Sequence, residues 1–257
     1  STLGRSSAAS DVYKRQALQS QLRSWRAQRQ PLAYGTSKYD VVASTGALWV
    51  CLCLDDHRLG PMSTYVLSLV PDLFEAFQLR DNEELSETAH DVLVQVASHP
   101  FSAAQVPVLL EALLDILRRS ESWHSRLDAL PLLQIVYFQN LYLLSHDMKR
   151  CILDVLCSLL HDPHVEVRDM AATTLAGIVR CSQRAYITEL SQTFADMAAV
   201  PIPRRGSPGY EAAMTQVHAG VLGACALVAA FPYDVPSWMP SLVLDTIAVH
   251  SESCLLY

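Results

Sequence analysis

Residues 159–178 read LLHDPHVEVRDMAATTLAGI, and their order dictates two helices and the turn between them. Asp162-Pro163 closes the first helix, because proline carries no amide hydrogen and pushes the residue before it out of helical geometry. Val167, Ala171, Leu175 and Ile178 then recur at helical spacing on one face of the second helix. Ala171 and Ala172 are small enough to let a neighbouring helix approach closely. Arg168 is placed to reach back to an acid or carbonyl in the turn. One such pair cannot bury both of its apolar faces alone, so it needs neighbours of the same kind.

Those neighbours are legible on either side. Leu85, Ala89, Val92 and Val96 form one stripe; Val106, Leu109, Leu113 and Ile116 form a second; Met148, Ile152, Val155 and Leu159 form a third. Ile187, Leu190, Phe194 and Met197 continue the pattern. Turn or cap signals at Arg80-Asp81-Asn82, Ser120-Glu121-Ser122 and Asp162-Pro163-His164 stand roughly 41 residues apart, with weaker breaks at His99-Pro100 and Ser145-His146-Asp147. A period near 40 with two helices per unit is the signature of a HEAT-type solenoid, and the D-x-x-x-x-V-R-x-x-A-A-x-x-L spelling of residues 162–175 is similar to HEAT repeats. No stretch alternates with period two, so no strands are expected. The fold class is therefore all-α, a HEAT-like α-solenoid of about five antiparallel helix pairs. Pro71 and Pro131 fall in helical stretches and predict kinks. Pro201–Gly209 (PIPRRGSPG) predicts an exposed loop.

Composition narrows the function classes. The 257 residues are 51% hydrophobic and 18% charged with only 9 Gly, which excludes a disordered or low-complexity chain. Nineteen Lys and Arg against 26 Asp and Glu give a net charge of −7, unsuited to direct binding of a nucleic-acid backbone. The longest apolar runs, Val41–Leu54 and Ala219–Phe231, fall short of the ~20 residues a membrane-spanning helix needs and read as core helices. Seven Cys without a C-x-x-C pair fit a reduced intracellular protein better than a disulfide framework or a zinc site.

The two ends read differently. Ser6–Gln16 (SSAASDVYKRQ) corresponds to the translation of a sequencing-library adapter, and Cys254–Tyr257 (CLLY) to one frame of its reverse complement. Residues 1–16 and 254–257 are accordingly expected to lie outside the native protein, which would continue past Ser253. Residues 17–253 then form the helical repeats, with 16 basic and 25 acidic residues.

Catalytic and metal chemistry find little purchase. His161 and His164 are three apart, but Asp162-Pro163 places them in a turn with no third ligand at a sensible spacing. His124 beside Trp123 reads as a capping or packing residue, and His218 as a structural histidine. Cys51 and Cys53 read as buried small hydrophobes. No nucleophile elbow, P-loop or dinucleotide fingerprint occurs, so no cofactor is expected. Tyr137, Phe138 and Tyr142 at helical spacing read as core. Arg204-Arg205 in the loop is a candidate docking or nuclear-import patch.

Three stretches carry a family resemblance over roughly residues 120–250: Ser122–Leu144 (SWHSRLDALPLLQIVYFQNLYLL), Val165–Ile178 and His218–Pro240 (HAGVLGACALVAAFPYDVPSWMP). They resemble the C-terminal part of the large HEAT-repeat proteasome activators, the proteasome activator complex subunit 4 family. The run Pro232, Tyr233, Asp234, Pro236, Trp238 and Pro240 is the most distinctive, since no generic HEAT repeat requires it. Its prolines end one helix and start the next, and Trp238 can fill the corner. With Arg168 and His218, these residues form a signature read as structural.

The resemblance implies a non-enzymatic protein that binds the outer ring of the proteasome core particle and opens its gate without ATP or ubiquitin. Hydrolysis of peptides and acetylated histones, a part in DNA repair, and residence in nucleus and cytoplasm are implied with it. It also implies a gate-opening hydrophobic-Tyr-X tail, for which Leu256-Tyr257 cannot stand because those residues read as adapter. The family's acetyl-lysine position, an Asn-Phe pair after a Cys, is occupied here by Ser182 and Gln183 after Cys181, which removes the Asn amide and the aromatic wall. The family's long basic loop is reduced to Arg204-Arg205. The alternative reading is a general HEAT scaffold of the nuclear-transport or phosphatase type, binding peptides or proteins along a concave face.

Overall fold

A computed structural model describes residues 17, 19–30, 37–55, 63–182 and 184–250. The two adapter-like ends and Gln183 lie outside the described residues. Among the described residues there is no strand, and the chain is an all-α solenoid. It divides into two compact units, Ser1–Ala112 and Leu113–Tyr257.

The first unit holds α1 (19–27), α2 (Lys38–Asp55), α3 (Ser63–Ser68), α4 (Val70–Phe77), α5 (Glu83–Ser98) and the start of α6 (Val106–Arg119). Helix α1 is tied down by Gln19, whose side-chain amide donates to the Ser68 carbonyl at 2.8 Å, and by an Arg26–Glu75 ion pair at 2.7 Å. Helices α2 and α4 both pack on α5. The helical stretch containing Pro71 is interrupted rather than kinked. It breaks at Leu69, and Pro71 sits in the first turn of α4, where its missing amide hydrogen costs nothing.

The second unit continues with α7 (Trp123–Gln139), α8 (His146–Leu159), α9 (Val165–Ser182), α10 (Ile187–Ala198), α11 (Tyr210–Ala229) and α12 (Met239–Ser241), which runs on into an irregular helical segment to His250. Helix α9 packs on α7, α8 and α11, and α10 packs on α11. Pro131 lies inside a continuous α7.

The expected stripes are the buried faces. Leu85, Ala89, Val92 and Val96 are core residues of α5, and Val167, Ala171, Leu175 and Ile178 are sealed completely in α9. Helices α5, α7 and α8 start at side-chain caps: the side chains of Asn82, Ser122 and Ser145 accept hydrogen bonds from the backbone amides of Leu85, Ser125 and Met148. Helix α11 is long and apolar enough by composition to cross a membrane, yet half of that stretch is buried inside the unit. Its small residues explain why. A Cβ added at Gly220 would stand 2.5 Å from the Ala198 amide nitrogen and 2.7 Å from the Phe194 carbonyl oxygen, so only glycine lets α10 and α11 come this close.

Two expected core assignments are corrected. Tyr137 is sealed, but Phe138 is 38% exposed and Tyr142 is 97% exposed. The helix ends at Gln139, so Tyr142 lies in the following turn and leaves the stripe that helical spacing had assigned it. Cys51 and Cys53 are half-buried rather than sealed, and Cys51 donates to the side-chain oxygen of Gln95 at 3.4 Å.

Candidate interaction surface

The turn between α8 and α9 is fastened by a cluster of side-chain hydrogen bonds. Asp162, nearly sealed, accepts from Arg126 Nε at 2.7 Å and from Arg126 Nη2 at 3.0 Å, a two-pronged bridge that reaches from α7. The same carboxylate accepts from the His164 amide at 2.9 Å. Arg168 donates from Nη1 to the Asp162 carbonyl at 2.8 Å, the reach back into the turn that the sequence predicts. Trp123 stacks on His124 at 3.7 Å and on His164 at 5.0 Å between centroids. His161 lies exposed in the turn with its Nδ1 3.3 Å from the Cys157 carbonyl. Among the described residues no group of three or more His, Cys, Asp or Glu could hold a metal ion.

His218 on α11 faces α9, half-buried, with its Nδ1 unpartnered. Burial lowers its pKa, the nearby Arg168 charge lowers it further, and Asp169 opposes them. The structure thus brings Arg168 and His218 together. The Cys157 thiol is pushed up to about 12, chiefly by burial, which leaves it protonated and unreactive at neutral pH.

The remaining sequence-chosen residues are spread out. The loop 201–209 is exposed, with Arg204 and Arg205 in its turn. The Ser207 amide donates to the Arg204 carbonyl at 3.0 Å, and Gly206 takes the left-handed φ of 85° that the third position of a type II turn demands. The guanidinium pair is therefore displayed on a firm turn. Tyr233 and Val235 are 99% and 70% exposed beyond the far end of α11, while Trp238 is half-buried with Phe231 edge-on at 5.5 Å. Pro236 is half-buried, whereas Pro232, Asp234 and Pro240 are exposed. Trp238 takes the corner role, whereas among the described residues nothing covers the ring of Tyr233. Arg204-Arg205 and Tyr233 flank a helix of 20 residues, about 30 Å long, and so form no single site. Ser182 closes α9 at the end away from Arg168.

Sequence reasoning missed a charged depression of about 420 Å³ lined by Arg118, Asp147, Arg150 and Asp154. Arg150 bridges α8 to α10 through Glu189 at 2.7 and 2.8 Å. Tyr186, under the Arg150 guanidinium, bonds His146 at 2.7 Å. No short-range spacing announces pairs that lie 39 and 40 residues apart, except the repeat period itself.

Residues 214–254 match the family model described as "Proteasome activator complex subunit 4-like, C-terminal", and residues 152–182 match the HEAT repeat. Among curated proteins the chain is 34% identical over 196 residues to proteasome activator complex subunit 4A of Danio rerio, covering 71% of this chain. It is 33% identical over 198 residues to proteasome activator complex subunit 4 of Homo sapiens, covering 72% of this chain. The chain belongs to the proteasome activator complex subunit 4 family. It is also 30% identical over 168 residues to proteasome activator subunit 4 of Arabidopsis thaliana, covering 62% of this chain. The matches take in 11%, 11% and 9% of those three relatives, so the chain spans about a tenth of their length. The family's C-terminal model takes in most of α11, the exposed Tyr233–Val235 corner and α12, and the HEAT match takes in most of α8, the Asp162 turn and α9.

Proposed function

We propose that the chain is a non-catalytic segment of a proteasome activator. The complete protein binds the outer ring of the core particle and opens its gate without ATP or ubiquitin, promoting degradation of peptides and acetylated histones in nucleus and cytoplasm. The observation that carries this reading is the match of residues 214–254 to the family's C-terminal model, alongside relatives that are all named as proteasome activators. The architecture supports it: a solenoid works by shape, and its turns here use their charges to fasten one helix to the next. Gate opening by such a protein is differential binding, in which docking more tightly on the open state shifts the population toward it. Arg204-Arg205, firm and exposed, serves as a contact or import patch, and Ser182-Gln183 occupies the acetyl-lysine position.

The test is a chimera. Residues 17–253 replace their counterpart in the Danio rerio relative, and hydrolysis of a fluorogenic peptide by purified core particles is measured with and without it. Stimulation equal to that of the parent relative is expected. A chimera that folds and binds no core particle would sink the reading and favour a general HEAT scaffold.

A further inference from the structure

Helix α2 has two opposite faces of the same apolar character, and only one is covered. Tyr39, Ala47, Val50 and Leu54 are buried within the first unit. On the other side Val41, Thr45, Leu48 and Leu52 follow at i, i+4, i+7 and i+11, and Val41, Leu48 and Leu52 are more than half exposed. Thr45 turns its hydroxyl back onto the Val41 carbonyl at 2.7 Å, so this stripe offers water no free donor.

The second unit shows what covers such a face. Helix α9 lies between α7 and α11, and the only large hydrophobic residue it leaves exposed is Val165, its first. The chain also spans only about a tenth of its relatives' length. We infer that the Val41–Leu48–Leu52 stripe is the docking face for one more helix of the same stack, supplied by a helix pair that precedes α1 in the longer family protein. The stripe carries no charge, so the docking helix presents an apolar face and the seam is dry. This inference rests on family membership and on α2, and is independent of gate opening.

The test compares the 257-residue chain with one in which the two helices preceding the counterpart of α1 in the Danio rerio relative are joined to Ala17 in place of residues 1–16. In the extended protein, hydrogen exchange of the α2 amides slows at least tenfold and binding of a hydrophobic fluorescent dye falls severalfold. Leu48→Glu with Leu52→Glu abolishes both changes, while leaving the thermal midpoint of the 257-residue chain unaltered because both side chains are exposed there. Unchanged α2 exchange in the extended protein overturns the inference. So does a concentration-dependent dimer of the 257-residue chain that the same double variant dissolves, since the occupant would then be a second copy.

Discussion

The two units are built from the same helix pairs, yet they finish their charges and their seams differently. In the second unit, Asp162 itself has both carboxylate oxygens and its carbonyl engaged by Arg126, Arg168 and a backbone amide, and the atom left buried without a partner is Arg168 Nε, outside the Arg126–Asp162 pair. In the first, Arg29 is shared between Asp40 at 2.9 Å and Asp81 at 2.8 Å, and the cluster leaves Arg29 Nη2 and Asp40 Oδ2 buried without a partner. The seams follow suit: Gly220 is enclosed by backbone, while Gly46 faces open space. A buried ion pair contributes according to how completely its atoms are satisfied, so similar-looking bridges should respond unequally to the loss of one partner.

The largest expected effect is at Asp162. Asp162→Ala leaves the Arg126 guanidinium, whose side chain is only 12% exposed, without its charge partner and with only the neutral Ser120 carbonyl to accept from it, and should cost about 3–5 kcal/mol in denaturant unfolding. Asp81→Ala leaves Arg29 its bond to Asp40 and should cost about 1–2 kcal/mol. Segment-resolved hydrogen exchange would place each loss in its own unit. Equal costs would show that completeness of bonding does not separate the two bridges.

Next come the glycines. Gly220→Ala forces backbone apart along the α10–α11 seam and should destabilise the second unit by about 1–3 kcal/mol. Gly46→Ala meets no atom and should stabilise α2 by about 0.5–1 kcal/mol. Opposite signs in thermal midpoint are the readout.

This contrast also explains what the sequence could disclose. The α9 stripe, the three turns and the Asn82, Ser122 and Ser145 caps are local patterns, each contained within one or two helical turns, and they were legible. Arg168 was legible because its partner lies six residues away. Arg126–Asp162, Arg29–Asp81 and Arg150–Glu189 were not, because their partners stand 36, 52 and 39 residues apart and only the stacked repeats bring them together. Tyr142 was misread because helical spacing was carried past the point where α7 stops. Tyr233 was named as part of a distinctive run, but its full exposure becomes visible only once the corner is built.

The first unit also carries a pH signature at Asp72. Burial pushes Asp72 up to about 6 from an ordinary 3.8, with Arg23 and the Gln19 hydrogen bond opposing it, and one carboxylate oxygen has no partner. Because the folded form holds its proton more tightly than the unfolded form, this group's contribution is fully present below about 3.8 and is lost as pH rises through about 6. Asp72→Asn should therefore stabilise the first unit at pH 7 by about 1 kcal/mol, allowing for solvent reaching a half-buried side chain, and flatten its stability between pH 4 and 6. Loss of stability at pH 7 in the variant would mean that Asp72 is ionised and held by Arg23 instead.

The smallest effect should come from the bridge with the shortest bonds. Arg150 grips Glu189 at 2.7 and 2.8 Å and lowers its pKa, so this pair matches Arg126–Asp162 in geometry. It differs in setting: the two side chains are 42% and 55% exposed, against 12% and 4%. Water already solvates both ions when the bridge opens, and salt screens what attraction is left. Glu189→Gln is accordingly expected to leave the unfolding midpoint unchanged within error at physiological ionic strength. Should it cost as much as the Asp162 substitution, distance rather than burial would govern these inter-repeat bridges, and the contrast between the two units would have to be redrawn on geometry alone.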